Sequence, residues 1–344
     1  MRAKAKNTCL KVCILVTTLV TALVIAEVAL RVVSLFPPDG PVYPDEHVGD
    51  THDQADAKIG WKMPPSTTST EETEDFSATY TSNEQGFRDV DNFDPENDPP
   101  QRIVFLGDSM TFGVGVEDDE VFVEQIEKAL GGNTRCYNLA MSGFGVAQML
   151  ATLRAYAYDL QPDLVVVPFI IDDLNRSLSA FRFRGVWMQK PAFAIEGDKL
   201  VPLTAENSPP KFLRWISRTH LGELRRRVGN RVTRTYPIGY RWKLNRKLFQ
   251  TIHDECRAAG VPILFVHLLA AQDSKPAPVF AKEFQDMGIP FLDLQDSIRA
   301  GIPGLHFEHD WHFTAAGHAH IARELLDYIS EHQLLSDEDR SIAP

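Results

Sequence analysis

Cysteine is scarce in this chain, and the few cysteines present exclude a disulfide-rich fold. Four occur among 344 residues, and two of them, Cys9 and Cys13, lie in an apolar N-terminal run. Only Cys136 and Cys256 remain as partners for a cross-link within a folded domain. Two isolated cysteines are not a disulfide framework, so we expect both thiols to be free.

Signatures of metal and phosphate binding are also lacking. The sequence contains no Gly-rich phosphate loop. Five histidines cluster near the C-terminus, but the sequence shows no supporting carboxylate or thiolate geometry of the kind that a zinc site needs: His306, His309, His312, His318 and His320. We therefore expect no metal and no cofactor.

The chain has no excess of positive charge, which argues against general nucleic-acid binding. Its net charge is −12, but residues 211–247 hold twelve Lys and Arg against one Glu. This basic stretch lies in a longer segment, about 176–246, that breaks the alternation of strands and helices. The segment is too long for an ordinary connection, so it is predicted to be a functional insertion or lid.

Part of this insertion has apolar residues at roughly helical spacing among arginines that include Arg225, Arg226 and Arg227. A basic amphipathic helix of this kind can lie on an anionic membrane surface or polymer. The alternative, which we favour, is a helix packed on the domain with a solvated arginine face.

The N-terminal apolar run, residues 8–26, is long enough to span a membrane as one helix. Basic residues precede and enter it, which predicts a cytoplasmic N-terminus and a periplasmic or extracellular remainder. A cleaved signal peptide is the competing interpretation, with a cleavage site at residues 24–26. We favour the uncleaved anchor because the run is long for a signal peptide.

The chain divides by composition into four parts. Residues 1–36 form the stub and anchor, and residues 37–100 resemble a mostly irregular tether with short docked segments. Residues 101–332 form the main domain, and residues 333–344 a tail. In the main domain strands alternate with helices, which predicts a parallel sheet with helices on both faces. The predicted strands are 103–106, 136–139, 164–169, 261–268 and 289–292.

A Gly-Asp-Ser corner follows the first of these strands and ends in Ser109. Ligands bind at the carboxyl ends of such strands, so Ser109 is a candidate nucleophile. The alternative is a loop whose Asp and Ser cap the next helix. Near the C-terminus, Asp310 and His312 could supply the base and the acid that a serine nucleophile needs.

Five segments, in this order, resemble the SGNH/GDSL hydrolases, in the bacterial branch that follows a membrane anchor. They are residues 83–88, 105–109, 138–143, 162–173 and 310–312. The resemblance implies a three-layer α/β/α fold with a flavodoxin-like parallel sheet of about five strands. It also implies Ser109 as nucleophile, His312 as base, Asp310 as its orienting acid, and an oxyanion hole from the N–H groups of Ser109 and Gly143.

The chain departs from the family at two places. The family has an Asn-Asp pair whose Asn amide donates to the oxyanion, but this chain has Asp172-Asp173, and Asp172 could help only when protonated. Asp310 and His312 are two residues apart instead of three, a pattern similar to the alginate O-acetylation proteins, which transfer acetyl groups. His309 and His306 are alternative bases. Arg88 could contact substrate, although a buried ion pair is the favoured role.

These features favour an exported, membrane-anchored serine esterase that hydrolyses O-acyl esters, above all O-acetyl esters, on envelope or extracellular carbohydrate. The first alternative is an acetyltransferase with the same triad, which would need an acyl-donor membrane protein as a partner. The second is a non-catalytic binding or assembly protein of the envelope, because fold alone does not fix function.

Overall fold

The computed structural model describes nine parts of the chain: residues 2–32, 41–42, 53–184, 186–203, 219–221, 224, 239–268, 280–299 and 302–335. The predicted surface contacts Arg225, Arg226 and Arg227 lie outside these residues.

The chain begins with helix α1 (Arg2–Val32). Within it, the 22 residues Lys11–Val32 have a mean hydropathy of 2.4 and are not buried by the protein. By length and composition this helix can cross a membrane. A two-residue strand, β1 (Pro41–Val42), follows it.

Residues 53–100 are more ordered than the predicted tether. They form two antiparallel hairpins, whose strands are β2 (Gln54–Asp56), β3 (Gly60–Lys62), β4 (Thr68–Glu72) and β5 (Ser77–Thr81). Trp61 and Phe87 are fully buried, and Trp61 Nε1 donates to the Ser142 carbonyl at 3.0 Å. This docking depends on a few large aromatic side chains that leave water. The polar composition of the remaining residues gave no indication of the hairpins.

The main sheet has five parallel strands. In chain order they are β6 (Gln101–Phe105), β7 (Thr134–Asn138), β8 (Leu164–Phe169), and then the two C-terminal strands Ile263–His267 and Phe291–Asp293. Across the sheet, β7 lies at one edge, followed by β6, β8, Ile263–His267 and, at the other edge, Phe291–Asp293. Numbered by chain order within this sheet, the strand order is 2-1-3-4-5. This is the flavodoxin-like order, which confirms the predicted fold class.

The insertion contributes four short strands: β9 (Phe181–Arg184), β10 (Val186–Gln189), β11 (Phe193–Glu196) and β12 (Lys199–Pro202). Strand β10 pairs with β9 and also with β1, so the insertion contacts the residues that follow α1. The strands Ile263–His267 and Phe291–Asp293 are accordingly β13 and β14.

Helices cover both faces of the sheet. The helices after α1 are α2 (Ser109–Phe112), α3 (Phe122–Leu130), α4 (Val146–Thr152), α5 (Ile171–Arg176), α6 (Tyr240–Ala258), α7 (Phe280–Met287), α8 (Gln295–Arg299) and α9 (Ala315–Glu331). Helix α4 continues as a π turn (Leu153–Ala157) and a 3-10 turn (Tyr158–Leu160). Helix α6 is the longest of these helices, and apolar residues such as Leu244 and Leu248 form its buried stripe.

The core has two halves, one on each face of the sheet. Val165, Val167 and Phe265 point to the half that contains α4, α6 and α7, whereas Val166 and Leu264 point to the half that contains α3 and α9. This alternation follows from the two-residue period of a strand. Strands apolar on both faces are expected in a parallel sheet covered on both sides.

The same arrangement explains the state of the two candidate cross-linking cysteines. Cys136 belongs to one half of the core and Cys256 to the other, so the sheet separates them. Both are free, as expected.

The buried histidine His318 on α9 makes stability depend on pH. Its Nδ1 accepts the Phe122 N–H at 3.3 Å, and burial lowers its pKa to about 3. Between this value and the unfolded value of about 6.5, the unfolded chain binds more protons. Stability should therefore be lost as pH falls through this window, by about 2 kcal/mol at about pH 5.

His318→Gln keeps an acceptor for the Phe122 amide but cannot take up a proton. We expect its melting temperature, followed by tryptophan fluorescence of the full chain in detergent, to fall less than that of the wild type on acidification. His332→Gln, at the exposed end of the same helix, serves as control. Equal acid sensitivity of His318→Gln and the wild type would contradict this account.

Candidate active site

Ser109 lies just beyond the carboxyl end of β6, at the first position of α2. Gly107 turns the chain with φ +152°, and a Cβ here would overlap the Thr111 side chain. Asp108 caps the helix, because its Oδ1 accepts the Met110 N–H at 3.0 Å. The capping role considered for this corner is therefore present, and it fixes the serine at the edge of the sheet where ligands bind.

Asp310 and His312 form a hydrogen-bonded pair on the loop before α9. His312 Nδ1 lies 2.5 Å from Asp310 Oδ1, and the same oxygen accepts the His312 backbone N–H at 2.8 Å. The hydrogen bond from the His312 side chain holds the pKa of Asp310 below its usual range. An ionised carboxylate at Nδ1 leaves Nε2 as the basic nitrogen. The Trp311 ring stacks on the imidazole with centroids 4.2 Å apart.

Ser109, Asp310 and His312 line one cavity of about 320 Å³. Among the residues described, buried His312 Nε2 has no hydrogen-bond partner. The Ser109 hydroxyl lies 3.5 Å from Asp108 Oδ2. The serine and the histidine therefore share a cavity without a direct hydrogen bond. Such bonds are often long in the absence of substrate and shorten in the complex.

Two backbone N–H groups are placed to bind a negative oxygen. Ser109 begins a helix, so its N–H has no partner in the preceding turn. Gly143 lines the same cavity and has φ +82°, a conformation that glycine adopts without strain. Within the described parts of the chain, neither N–H donates to another group. Both are suited to stabilise an oxyanion.

Asp172, the predicted third member of the oxyanion hole, has different contacts in the structure. Its carboxylate accepts hydrogen bonds from Arg176 Nε at 2.9 Å and Asn175 Nδ2 at 3.2 Å, and its side chain is 42% exposed. The cavity wall contains Arg176 instead of Asp172.

Asp173 and Arg176 belong to a buried ionic cluster beneath Ser109. Arg176 Nη1 lies 2.8 Å from Asp108 Oδ2 and 2.7 Å from Asp173 Oδ1. Burial, and then the negative charge of Asp108, raise the pKa of Asp173 well above its usual range. Sequence reasoning missed Arg176, because an arginine in the last turn of a short helix belongs to no motif.

Arg88 has the structural role that was favoured for it. Its side chain is 2% exposed, and Nε donates to Asp118 at 2.8 Å. Nη1 and Nη2 donate to the carbonyls of Phe112 and Val116 at 3.0 and 2.7 Å. Arg88 does not line the cavity of Ser109, and its contacts hold the loop that follows α2.

The other C-terminal histidines lie outside the cavity wall. His309 binds Asp75 through Nδ1 at 2.9 Å and is more than half exposed. His306 pairs with Phe313 in an isolated antiparallel β-bridge, and the His320 side chain contacts Ser297 and Arg323. No group of three or more His, Cys, Asp or Glu side chains in the described ranges is arranged to hold a metal ion.

The segment before the sheet supplies much of the cavity wall. Its contributions, for which the sequence carried no signal, are Asp53, Met63, Ser69, Glu71 and Tyr80, and β9 adds Arg182. The Tyr80 hydroxyl donates to Glu71 at 2.9 Å and accepts the Gly115 N–H at 3.0 Å. These bonds connect the β4–β5 hairpin to the loop after α2.

No family model and no curated protein matches the sequence. Among solved structures, TesA is 17% identical over 68% of this chain and 100% of its own, with a TM-score of 0.40. A lipase/acylhydrolase from Enterococcus faecalis is 15% identical over 67% of this chain and 96% of its own, with a TM-score of 0.40. The acetyl xylan esterase AlAXEase is 14% identical over 66% of this chain and 99% of its own, with a TM-score of 0.39.

The site predicts that Ser109 is the reactive hydroxyl in the cavity. A fluorophosphonate probe should label the full chain in detergent at Ser109, because the ester-like phosphorus needs an activated nucleophile and an oxyanion site. Ser109→Ala should abolish labelling. Ser142→Ala, which removes another hydroxyl of the same wall, should retain it. Labelling that survives in Ser109→Ala, located by peptide mass spectrometry, would exclude this assignment.

Proposed function

We propose that this protein is an exported, membrane-anchored serine esterase that removes short acyl groups, above all acetyl, from carbohydrate. One observation carries the proposal: Ser109, the His312–Asp310 pair and the N–H groups of Ser109 and Gly143 converge on one cavity. A nucleophile, an oriented base and an oxyanion site are the three parts that acyl transfer requires.

The reaction proceeds through an acyl-enzyme. His312 Nε2 takes the proton of the Ser109 hydroxyl while Oγ attacks the ester carbonyl, and the carbonyl oxygen becomes an oxyanion. Collapse of this intermediate expels the sugar alkoxide, which receives the proton from His312. Water then attacks the acyl-enzyme by the same route, releasing the acid and the free serine.

The cavity supports a small acyl group and a polar leaving group. Its volume of about 320 Å³ is near the lower limit for small-molecule sites. Phe112, Val114 and Met141 provide an apolar part, while Ser69 and Glu71 provide groups that hydrogen-bond hydroxyls. Long acyl chains need more apolar wall than these residues supply.

The first functional test is hydrolysis of small esters by the full chain in detergent. Ser109→Ala and His312→Ala should lower kcat by a similar large factor, and the double variant should lower it little further, since triad members act as a unit. Asp310→Asn should cost less than either. His309→Ala serves as control, because His309 is outside the cavity.

The acyl-chain preference is tested with acetyl, butyryl and octanoyl esters of one alcohol, with kcat/KM highest for acetyl. If the wild type releases no acetate, the esterase is excluded and the non-catalytic binding or assembly protein is favoured. If the acetyl ester is cleaved only when an added oligosaccharide is present and becomes acetylated, the protein is the transferase.

The anchor and the insertion are proposed to hold the domain at the membrane surface. Glu27, near the end of α1, accepts hydrogen bonds from the N–H groups of His220 and Leu221 at 3.1 and 2.9 Å. These residues belong to the basic stretch 211–247, so this contact would bring the stretch to the interface where α1 leaves the bilayer. Anionic lipids in the leaflet that faces the domain would attract these basic residues.

The membrane proposal predicts binding of this stretch to anionic lipid. Replacing Arg225, Arg226 and Arg227 together with Gln should weaken the dependence of activity on anionic lipid for the full chain in nanodiscs. Each basic residue near such a surface contributes about 1 kcal/mol at most, and salt screens it. The control replaces Arg257, an exposed arginine at the end of α6. Equal activity of the wild type in neutral and anionic nanodiscs at low salt would contradict the proposal.

A further inference from the structure

Arg176 is held in one orientation by the fold. Its side chain is 3% exposed, and Nη1 contacts Asp108, Asp173 and the Phe144 carbonyl at 2.8, 2.7 and 3.0 Å. The backbone carbonyl of Arg176 accepts a hydrogen bond from the fully buried Lys190 Nζ at 2.9 Å. A guanidinium with this many fixed partners loses little freedom when it binds a further group.

The Nη1 contacts join the two loops that carry the oxyanion donors. Asp108 precedes Ser109, and Phe144 follows Gly143, so one nitrogen fixes the neighbours of both N–H groups. Helix α5, which carries Arg176, can pack close to the loop of Gly143 and Phe144 because the next residue in that loop is Gly145. A Cβ at Gly145 would lie 2.8 Å from the Arg176 Cβ.

The second amino group of the guanidinium is available to substrate. Among the described residues, Nε and Nη1 of Arg176 have acceptors, whereas Nη2 donates to none. Arg176 lines the cavity of Ser109, and its Cζ lies 6.0 Å from the centre of the Trp311 ring in the same wall. A buried cation with an unused donor pair in an active-site wall is suited to bind a developing negative charge.

We propose that Arg176 is a catalytic residue of this site. Its Nη2 donates to the acyl oxygen of the substrate and stabilises the oxyanion beside the N–H groups of Ser109 and Gly143. Its Nη1 holds both loops in place and neutralises Asp108, whose charge next to the serine would oppose the oxyanion. Arg176 thus performs the role predicted for Asp172, whose carboxylate helps to orient the guanidinium. The inference rests on the proposed esterase function.

The test compares Arg176→Lys and Arg176→Ala with the wild type, using the full chain in detergent and an acetyl ester. Arg176→Lys keeps the charge but cannot contact Asp108, Phe144 and the substrate together. We expect kcat to fall about 100-fold, as for loss of an oxyanion donor, with KM within about threefold of the wild type. In Arg176→Ala, added guanidinium ion should restore part of kcat, and it should restore none in Ser109→Ala.

Arg135→Lys is the matched structural control. Arg135 is also buried between two carboxylates, Asp89 at 2.7 Å and Glu127 at 2.9 Å, but it does not line the cavity. We expect the Arg135→Lys variant to have a lower melting temperature than the wild type but the same kcat. If Arg176→Ala does not fold, the kcat of Arg176→Lys alone tests the role of Arg176.

The outcomes separate this inference from the function on which it rests. Wild-type turnover with kcat of Arg176→Lys within about twofold of the wild type would overturn the role of Arg176 alone. A loss of kcat matched by Arg135→Lys would overturn it as well, because it would reflect stability. A wild type that hydrolyses no ester would overturn both the inference and the esterase function.

Discussion

The buried contact between Arg176 and Asp108 is the interaction on which the geometry of the site depends. Asp108 is 1% and Arg176 3% exposed, and without Arg176 the Asp108 carboxylate would have no cationic partner among the described residues. Removing one partner of such a pair is strongly destabilising, because a charge remains away from water. The pair also joins the end of β8, through α5, to the corner after β6. The ionic cluster therefore couples the stability of the sheet edge to the position of the nucleophile.

A second constraint comes from the segment that precedes the sheet. Trp61 and Tyr80 dock this segment, and its hairpins cover the carboxyl edge where Ser109 lies. The corner after β6 supplies Ser109 to the cavity, whereas the segment supplies part of its wall. The sheet and much of the cavity wall thus come from different parts of the chain. The insertion adds Arg182 to the same wall.

Much of the main domain could be predicted because local pattern and tertiary environment agree. Residues 164–169 are apolar at every position, and the strand has these bounds because both faces of the sheet are covered. The loop of Asp310 and His312 was predictable for a related reason. Their side chains are two residues apart, so the pairing needs only a local backbone conformation. The hairpins before the sheet escaped prediction because their stability comes from docking and not from their own pattern.

The sequence by itself determined the apolar N-terminal helix, the alternation of strands and helices, and the choice of Ser109, Asp310 and His312 as candidates. Each of these depends on residues near one another in the chain. Only the tertiary structure decided that Arg176 lines the cavity while Asp172 is partly exposed outside it, and that side chains from residues 53–80 line part of the cavity. The physical reason is that such contacts join residues remote in sequence, and their partners are fixed by packing and by the pairing of buried charges.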